Sequence, residues 1–153
     1  MERAGRLVCP WRWLAGALLA GVSQLACALD FRSVGAEPAI LYDAPTQRGQ
    51  KLFVAPRGMP LEVVVGQGDW LRVRDASGAL AWIEKRAVTD KRMLVSTAVA
   101  TVRAAPDGNA APQFQVARGV LLEFVEAAPG GWLRVRHADG SAGFVSAAEV
   151  WGE

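Results

Sequence analysis

One stretch of this chain occurs twice, and that repetition constrains the fold more than any other feature. Residues 70–83 read Trp-Leu-Arg-Val-Arg-Asp-Ala-Ser-Gly-Ala-Leu-Ala-Trp-Ile, and residues 132–145 read Trp-Leu-Arg-Val-Arg-His-Ala-Asp-Gly-Ser-Ala-Gly-Phe-Val. They match at seven of fourteen positions without a gap, and the pairs Trp82/Phe144 and Ile83/Val145 keep a large apolar group where identity changes. Leu71 and Val73, like Leu133 and Val135, alternate with arginines, which is the two-residue period of a strand with one buried face. Gly78 and Gly140 then stand where a tight connection requires positive φ. Each copy is therefore a predicted hairpin, with Leu71, Val73, Ile83 and Leu133, Val135, Val145 in matching core positions.

The repetition reaches beyond the hairpins. At an offset of 61 residues, Ala44-Pro45 matches Ala105-Pro106, Phe53 matches Phe114, Arg57-Gly58 matches Arg118-Gly119, and Leu61-Glu62 matches Leu122-Glu123. One extra residue before Gly130 shifts the offset to 62 for the hairpins. Each copy reads as a short strand (40–42 or 101–103), a long irregular loop, a strand (61–65 or 121–125), the hairpin, and a last short strand near Val88 or Val150. The absence of a helical period makes the chain all-β, two small five-stranded barrels in tandem. Residues 29–38 read as a lead-in. Thr89 to Thr97 joins the copies, and its apolar Met93-Leu94-Val95 reads as ordered packing against one barrel. The expected division is a leader over 1–28, a first domain over 29–96 and a second over 97–153.

The leader follows from an ordered change in composition. Arg3, Arg6 and Arg12 precede an uncharged run from Trp13 to Leu25, and Ala26-Cys27-Ala28 ends it with small residues. This is the three-part pattern of a secretory signal peptide, with cleavage expected after Ala28 and a periplasmic or secreted destination. An uncleaved anchor would need about 20 apolar residues, more than this run supplies. A lipoprotein with Cys27 as the lipidated residue is the other alternative, although Gln24 stands where such signals carry Leu. Cys9 and Cys27 are the only cysteines. A chain cleaved after Ala28 has no thiol for a disulfide, a nucleophile or a metal site.

The formal charge of +2 has the same origin. Beyond residue 28 there are 14 basic and 14 acidic residues, which removes the electrostatic argument for nucleic-acid binding. Apolar residues make up 52% and charged residues 21% of the chain, the balance of a folded domain.

Val102-Arg103-Ala104-Ala105-Pro106, Gly131-Trp132-Leu133-Arg134-Val135 and Gly143-Phe144-Val145 together resemble, in order and spacing, the bacterial SH3-like (SH3b) domains. Two copies would cover nearly all of the chain beyond the leader. The first copy departs from the pattern, with Tyr42-Asp43-Ala44 at its start and Ala81 opposite Gly143. The more distant eukaryotic SH3 domains bind proline-rich peptides on a ladder of aromatic rings. Ser146-Ala147-Ala148-Glu149 and Glu84-Lys85-Arg86-Ala87 lack the proline and tyrosine of that ladder, which argues against such ligands.

Catalytic groups are scarce. His137 is the only histidine, and its counterpart is Asp75, which places it in an exposed turn. Glu123 and Glu126, three apart on a strand, are expected on opposite faces. No enzymatic activity and no cofactor are expected. The aromatic and basic residues are the candidates for binding. Trp70 and Trp132 share a strand face with Arg72 and Arg134, and an indole beside a guanidinium suits a sugar or amide face carrying a carboxylate. Tyr42 and Arg103 join these four from the first strands of the copies. The alternative is that each tryptophan covers an open barrel end. Trp82, Phe144, Phe53 and Phe114 read as packing. The resemblance implies an exported, non-catalytic module that recognises peptidoglycan or another envelope component, with the second copy the better candidate. The alternative is a structural adaptor docking on an envelope enzyme or complex.

Overall fold

A computed structural model describes residues 29–153; the leader and its cleavage point lie outside the described residues. Each repeat forms one antiparallel sheet of seven strands. The first comprises β1 (Asp30–Val34), β2 (Ala39–Tyr42), β3 (Lys51–Ala55), β4 (Pro60–Gln67), β5 (Trp70–Arg74), β6 (Leu80–Glu84) and β7 (Val88–Thr89), in the order β3-β2-β6-β5-β4-β1-β7. The second comprises β8 (Met93–Ser96), β9 (Ala100–Arg103), β10 (Pro112–Val116), β11 (Leu121–Ala128), β12 (Trp132–Arg136), β13 (Ala142–Ser146) and β14 (Val150–Trp151), in the corresponding order. A single 3-10 turn, Lys85–Ala87 or Ala147–Glu149, precedes the last strand of each.

Five strands per copy were expected and seven are present, in sheets that end at β3 and β7 or at β10 and β14 without closing. Two kinds of strand escaped the periodicity. β3 lies at a sheet edge and is exposed from Lys51 to Val54, so no buried face marks it, and the expected irregular loop contains it. β1 lies in the expected lead-in, and its innermost position is Ser33, 1% exposed, a polar residue where an apolar one would have kept the pattern. β1 pairs with β4 and β7, and β8 pairs with β11 and β14. Met93–Ser96 is thus ordered, as its apolar character required. It belongs by hydrogen bonding to the second sheet.

The hairpins carry the core. Val73, Ile83, Val135 and Val145 are fully buried and Leu133 nearly so, while Leu71 packs half-buried at the edge of its cluster. Gly78 and Gly140 have φ of 87° and 92°, and each amide closes a turn onto the carbonyl of Asp75 or His137. The one-residue shift in the repeat is accounted for in the preceding turn: Gln67 and Trp70 pair across two residues, whereas Ala128 and Trp132 pair across three.

A bulge in the long strand of each repeat changes which side chains meet. In β4 the register slips between Val63 and Val65, and in β11 between Phe124 and Glu126. The extra residue turns the following side chain back onto the earlier face. Glu123 therefore opposes Arg136 and Glu126 opposes Arg134, on the same face of the sheet, where strict alternation had placed the two carboxylates on opposite faces.

The repeats pack on each other. Phe31 of β1 meets Trp151 of β14 edge to face, with ring centroids 5.1 Å apart. The Met93 amide donates to Ser33 Oγ at 3.2 Å.

Candidate functional site

The strand registers gather the candidate side chains into one row on the face of each sheet opposite the core. In the first repeat Val65 of β4 opposes Arg72 of β5, Arg72 opposes Trp82 of β6, and Trp82 opposes Tyr42 of β2. In the second the row is Glu126, Arg134, Phe144 and Arg103. Trp82 and Phe144, read from the sequence as packing, stand half-buried in the middle of these rows. The signal that could have found them was the alternation itself, because they share strand parity with Leu80 and Ala142 and not with the core residues Ile83 and Val145.

The rows differ in what is already satisfied. In the second repeat Arg134 forms an ion pair with Glu126 at 3.1 Å, and Arg103 donates to the Ala110 carbonyl at 2.8 Å. Both guanidinium groups thus have partners within the protein. Trp132, half-buried at the start of β12, opposes Ser146 and Ala128. In the first repeat Val65 replaces the glutamate, and Arg72 is exposed and has no ion-pair partner among the described residues. Trp70 meets Tyr42 edge to face, with centroids 5.4 Å apart and planes at 87°. Edge-to-face contact sets the positive edge of one ring against the negative face of the other, and Tyr42 is 7% exposed.

Tyr42 also lines a groove of about 620 Å³, bordered by Pro38, Ile40, Gln47, Glu84 and Arg86. One wall is tied together by Glu84. Its carboxylate accepts a hydrogen bond from the Gln47 amide at 2.6 Å and another from the Arg86 guanidinium. The Arg86 bond, followed by the Gln47 bond, holds the Glu84 carboxyl below its ordinary value of 4.5. Gln47 belongs to the β2–β3 loop and Arg86 to the 3-10 turn, so this carboxylate fixes one against the other. Sequence reading missed all three residues, because Gln47 is 37 positions from Glu84 and no local pattern links them.

The structure thus brings Tyr42 together with Trp70 in one repeat, with Arg72 across Trp82 in the same row, and places Arg103 and Arg134 on either side of Phe144 in the other. Among the described residues no three His, Cys, Asp or Glu side chains converge as a metal site would require. No helix among them is long and apolar enough to cross a membrane.

No curated protein matches the sequence. Among solved structures, NlpC2 from Trichomonas vaginalis is 10% identical with a TM-score of 0.38, over 82% of this chain and 48% of that one. NlpC1 from the same organism is also 10% identical with a TM-score of 0.38, over 82% of this chain and 46% of that one. The chain spans less than half the length of either. The model of the bacterial SH3 domain matches twice, over residues 35–90 and 96–152, and each match covers most of one seven-stranded sheet. With three quarters of its length accounted for in this way, the chain belongs to the bacterial SH3 domain family, as two domains in tandem.

Proposed function

We propose that this protein is an exported, non-catalytic binding module that recognises peptidoglycan or another cell-envelope component, with its site on the first repeat. One observation carries the choice of site: Tyr42 belongs both to the aromatic pair with Trp70 and to the lining of the groove. A ligand in that groove meets an indole-supported ring, with Arg72 uncommitted two strands away. In the second repeat a ligand carboxylate would compete with Glu126 for Arg134 and with a backbone carbonyl for Arg103. The sequence favoured the second copy because its opening motif is closer to the family. The hydrogen bonds of the two rows favour the first. Family membership supports the envelope as the destination, and the charged, apolar and small-residue order of residues 1–28 supports export.

Titration of muropeptides into the wild type, Trp70→Ala and Trp132→Ala, followed by indole fluorescence, tests this site. Saturable binding that is lost in Trp70→Ala and kept in Trp132→Ala is expected. The reverse result would move the site to the second repeat. Sedimentation with purified sacculi tests the ligand class.

A structural adaptor is the second reading, favoured by the sheet edge. β3 has no neighbour on its outer side among the described residues, and Leu52 and Val54 are 44% and 62% exposed. An unpaired apolar edge suits addition of a strand from another protein. A chain that binds no sacculi and no muropeptide would leave this reading standing.

A further inference from the structure

We propose that the crevice between the two repeats is a separate binding site for a small oxyanion, the carboxylate or phosphate group of a soluble ligand. The crevice has a volume of about 690 Å³ and takes its lining from both repeats, a size that suits a small molecule. Arg57, Lys91 and Arg136 line it with one carboxylate, Glu123, and His137 stands beside Arg136. Residues 29–153 as a whole hold equal numbers of basic and acidic residues, so the excess of cations is local.

Comparison of the repeats shows how this excess arises. In the first repeat Glu62 opposes Arg74, and the two form an ion pair at 3.2 Å. The corresponding residues of the second repeat, Glu123 and Arg136, also oppose each other. There, however, Glu123 turns to Lys91 of the inter-repeat segment, at 3.1 Å. Arg136 is left exposed without an ion-pair partner among the described residues, and Arg57 is in the same position. The neighbouring turn changes in the same sense. Asp75 caps the first turn by accepting from the Ser77 and Ala79 amides. Its counterpart is His137, and the capping carboxylate moves two residues on, to Asp139, which accepts from the Ser141 amide at 2.8 Å and stands outside the crevice lining. An unpaired guanidinium thus faces the crevice where the first repeat has a neutralised pair, and the imidazole beside it is turned to Asp139, 3.1 Å from its Nδ1. Two arginines from different repeats supply forked donors that match an oxyanion, and neither repeat alone contains the site.

Amide chemical shifts of the labelled protein test the proposal, with inorganic phosphate, acetyl-alanyl-alanine and its C-terminal amide as probes. Saturable shifts at Gly35, Gly58 and Gly140, which line the crevice, are expected with phosphate or with the free acid, and not with the amide. Shifts with the acid alone identify a carboxylate as the recognised group, and shifts with phosphate alone identify a phosphate. Arg57→Gln and Arg136→Gln should each weaken binding at least about fivefold, the loss expected for a charged hydrogen bond. Arg74→Gln removes an equal charge outside the crevice and should leave the affinity unchanged. The proposal is overturned if neither anion gives saturable shifts at those glycines, if the amide binds as well as the acid, or if both crevice variants bind like the wild type.

Discussion

The ring of Phe31 and the indole of Trp151 meet at 89°, 5.1 Å apart, and they belong to different repeats. Phe31 lies on the first strand of one sheet and Trp151 on the last strand of the other, so the contact spans nearly the whole described chain. A repeat of about 60 residues buries too little surface to be strongly stable alone. Apolar contact between the repeats adds to what each core supplies.

Removing that contact should therefore loosen the pair of domains as well as destabilise them. Trp151→Ala is expected to cost about 2 kcal/mol in denaturant unfolding and to increase the radius of gyration in solution scattering. A double-mutant cycle with Phe31→Ala should show a coupling of about 1 kcal/mol. Additive single effects would mean that the rings stabilise their own repeats independently.

The face assignment of the hairpin strands has a direct test in two adjacent residues. Val135 is fully buried and Arg136 is exposed without an ion pair among the described residues. Val135→Ala should cost about 1–3 kcal/mol, from lost burial and the cavity left behind. Arg136→Ala should cost less than about 0.5 kcal/mol. Urea unfolding of both variants measures the difference.

Gly143 and Ala81 occupy the same position in the two repeats, yet they should not be interchangeable. A Cβ on Gly143 would lie 2.6 Å from both the Arg103 carbonyl oxygen and Val102 Cγ1, so β9 would have to move. Gly143→Ala is expected to destabilise the protein by about 1–3 kcal/mol through overpacking, seen as a lower unfolding midpoint. Ala81 is already accommodated at 4% exposure, and Ala81→Gly should change the midpoint less.

The groove wall should respond to acid. Glu84 is held below its ordinary value of 4.5 by Arg86 and Gln47. A depressed carboxyl contributes stability that is fully present above its unfolded pKa and is lost as pH falls through the lower folded value. As pH falls below that ordinary value, the Gln47 side-chain amide should lose its protection and the β2–β3 loop should detach from the 3-10 turn. Nuclear magnetic resonance of the Gln47 side chain across this range measures the transition. Glu84→Gln should lose the response while keeping the fold.

Much of this architecture was legible in the residues because it rests on local alternation. Val73, Val135, Ile83 and Val145 declare a buried face two residues at a time, and Gly78 and Gly140 mark the turns between strands. The duplication then doubled each signal. Two strands gave no such signal, since β3 buries only Ala55 and β1 places Ser33 in the interior.

The grouping of the candidate site depended on register and bulges. Tyr42, Trp70, Trp82 and Arg72 were visible as residue types, but their juxtaposition depends on the pairing of β2 with the distant β6, which sets Tyr42 against Trp82. The single bulged residues Val64 and Val125 set which of Val65, Glu123 and Glu126 face the arginines. The crevice is more remote still from sequence: Arg57 and Arg136 line one crevice only because the two repeats pack, and Glu123, the residue opposite Arg136, is paired with Lys91 instead. Alternation is a property of neighbouring residues and can be read from the sequence, whereas the choice of ion-pair partner is a competition among distant charges that the tertiary structure decides.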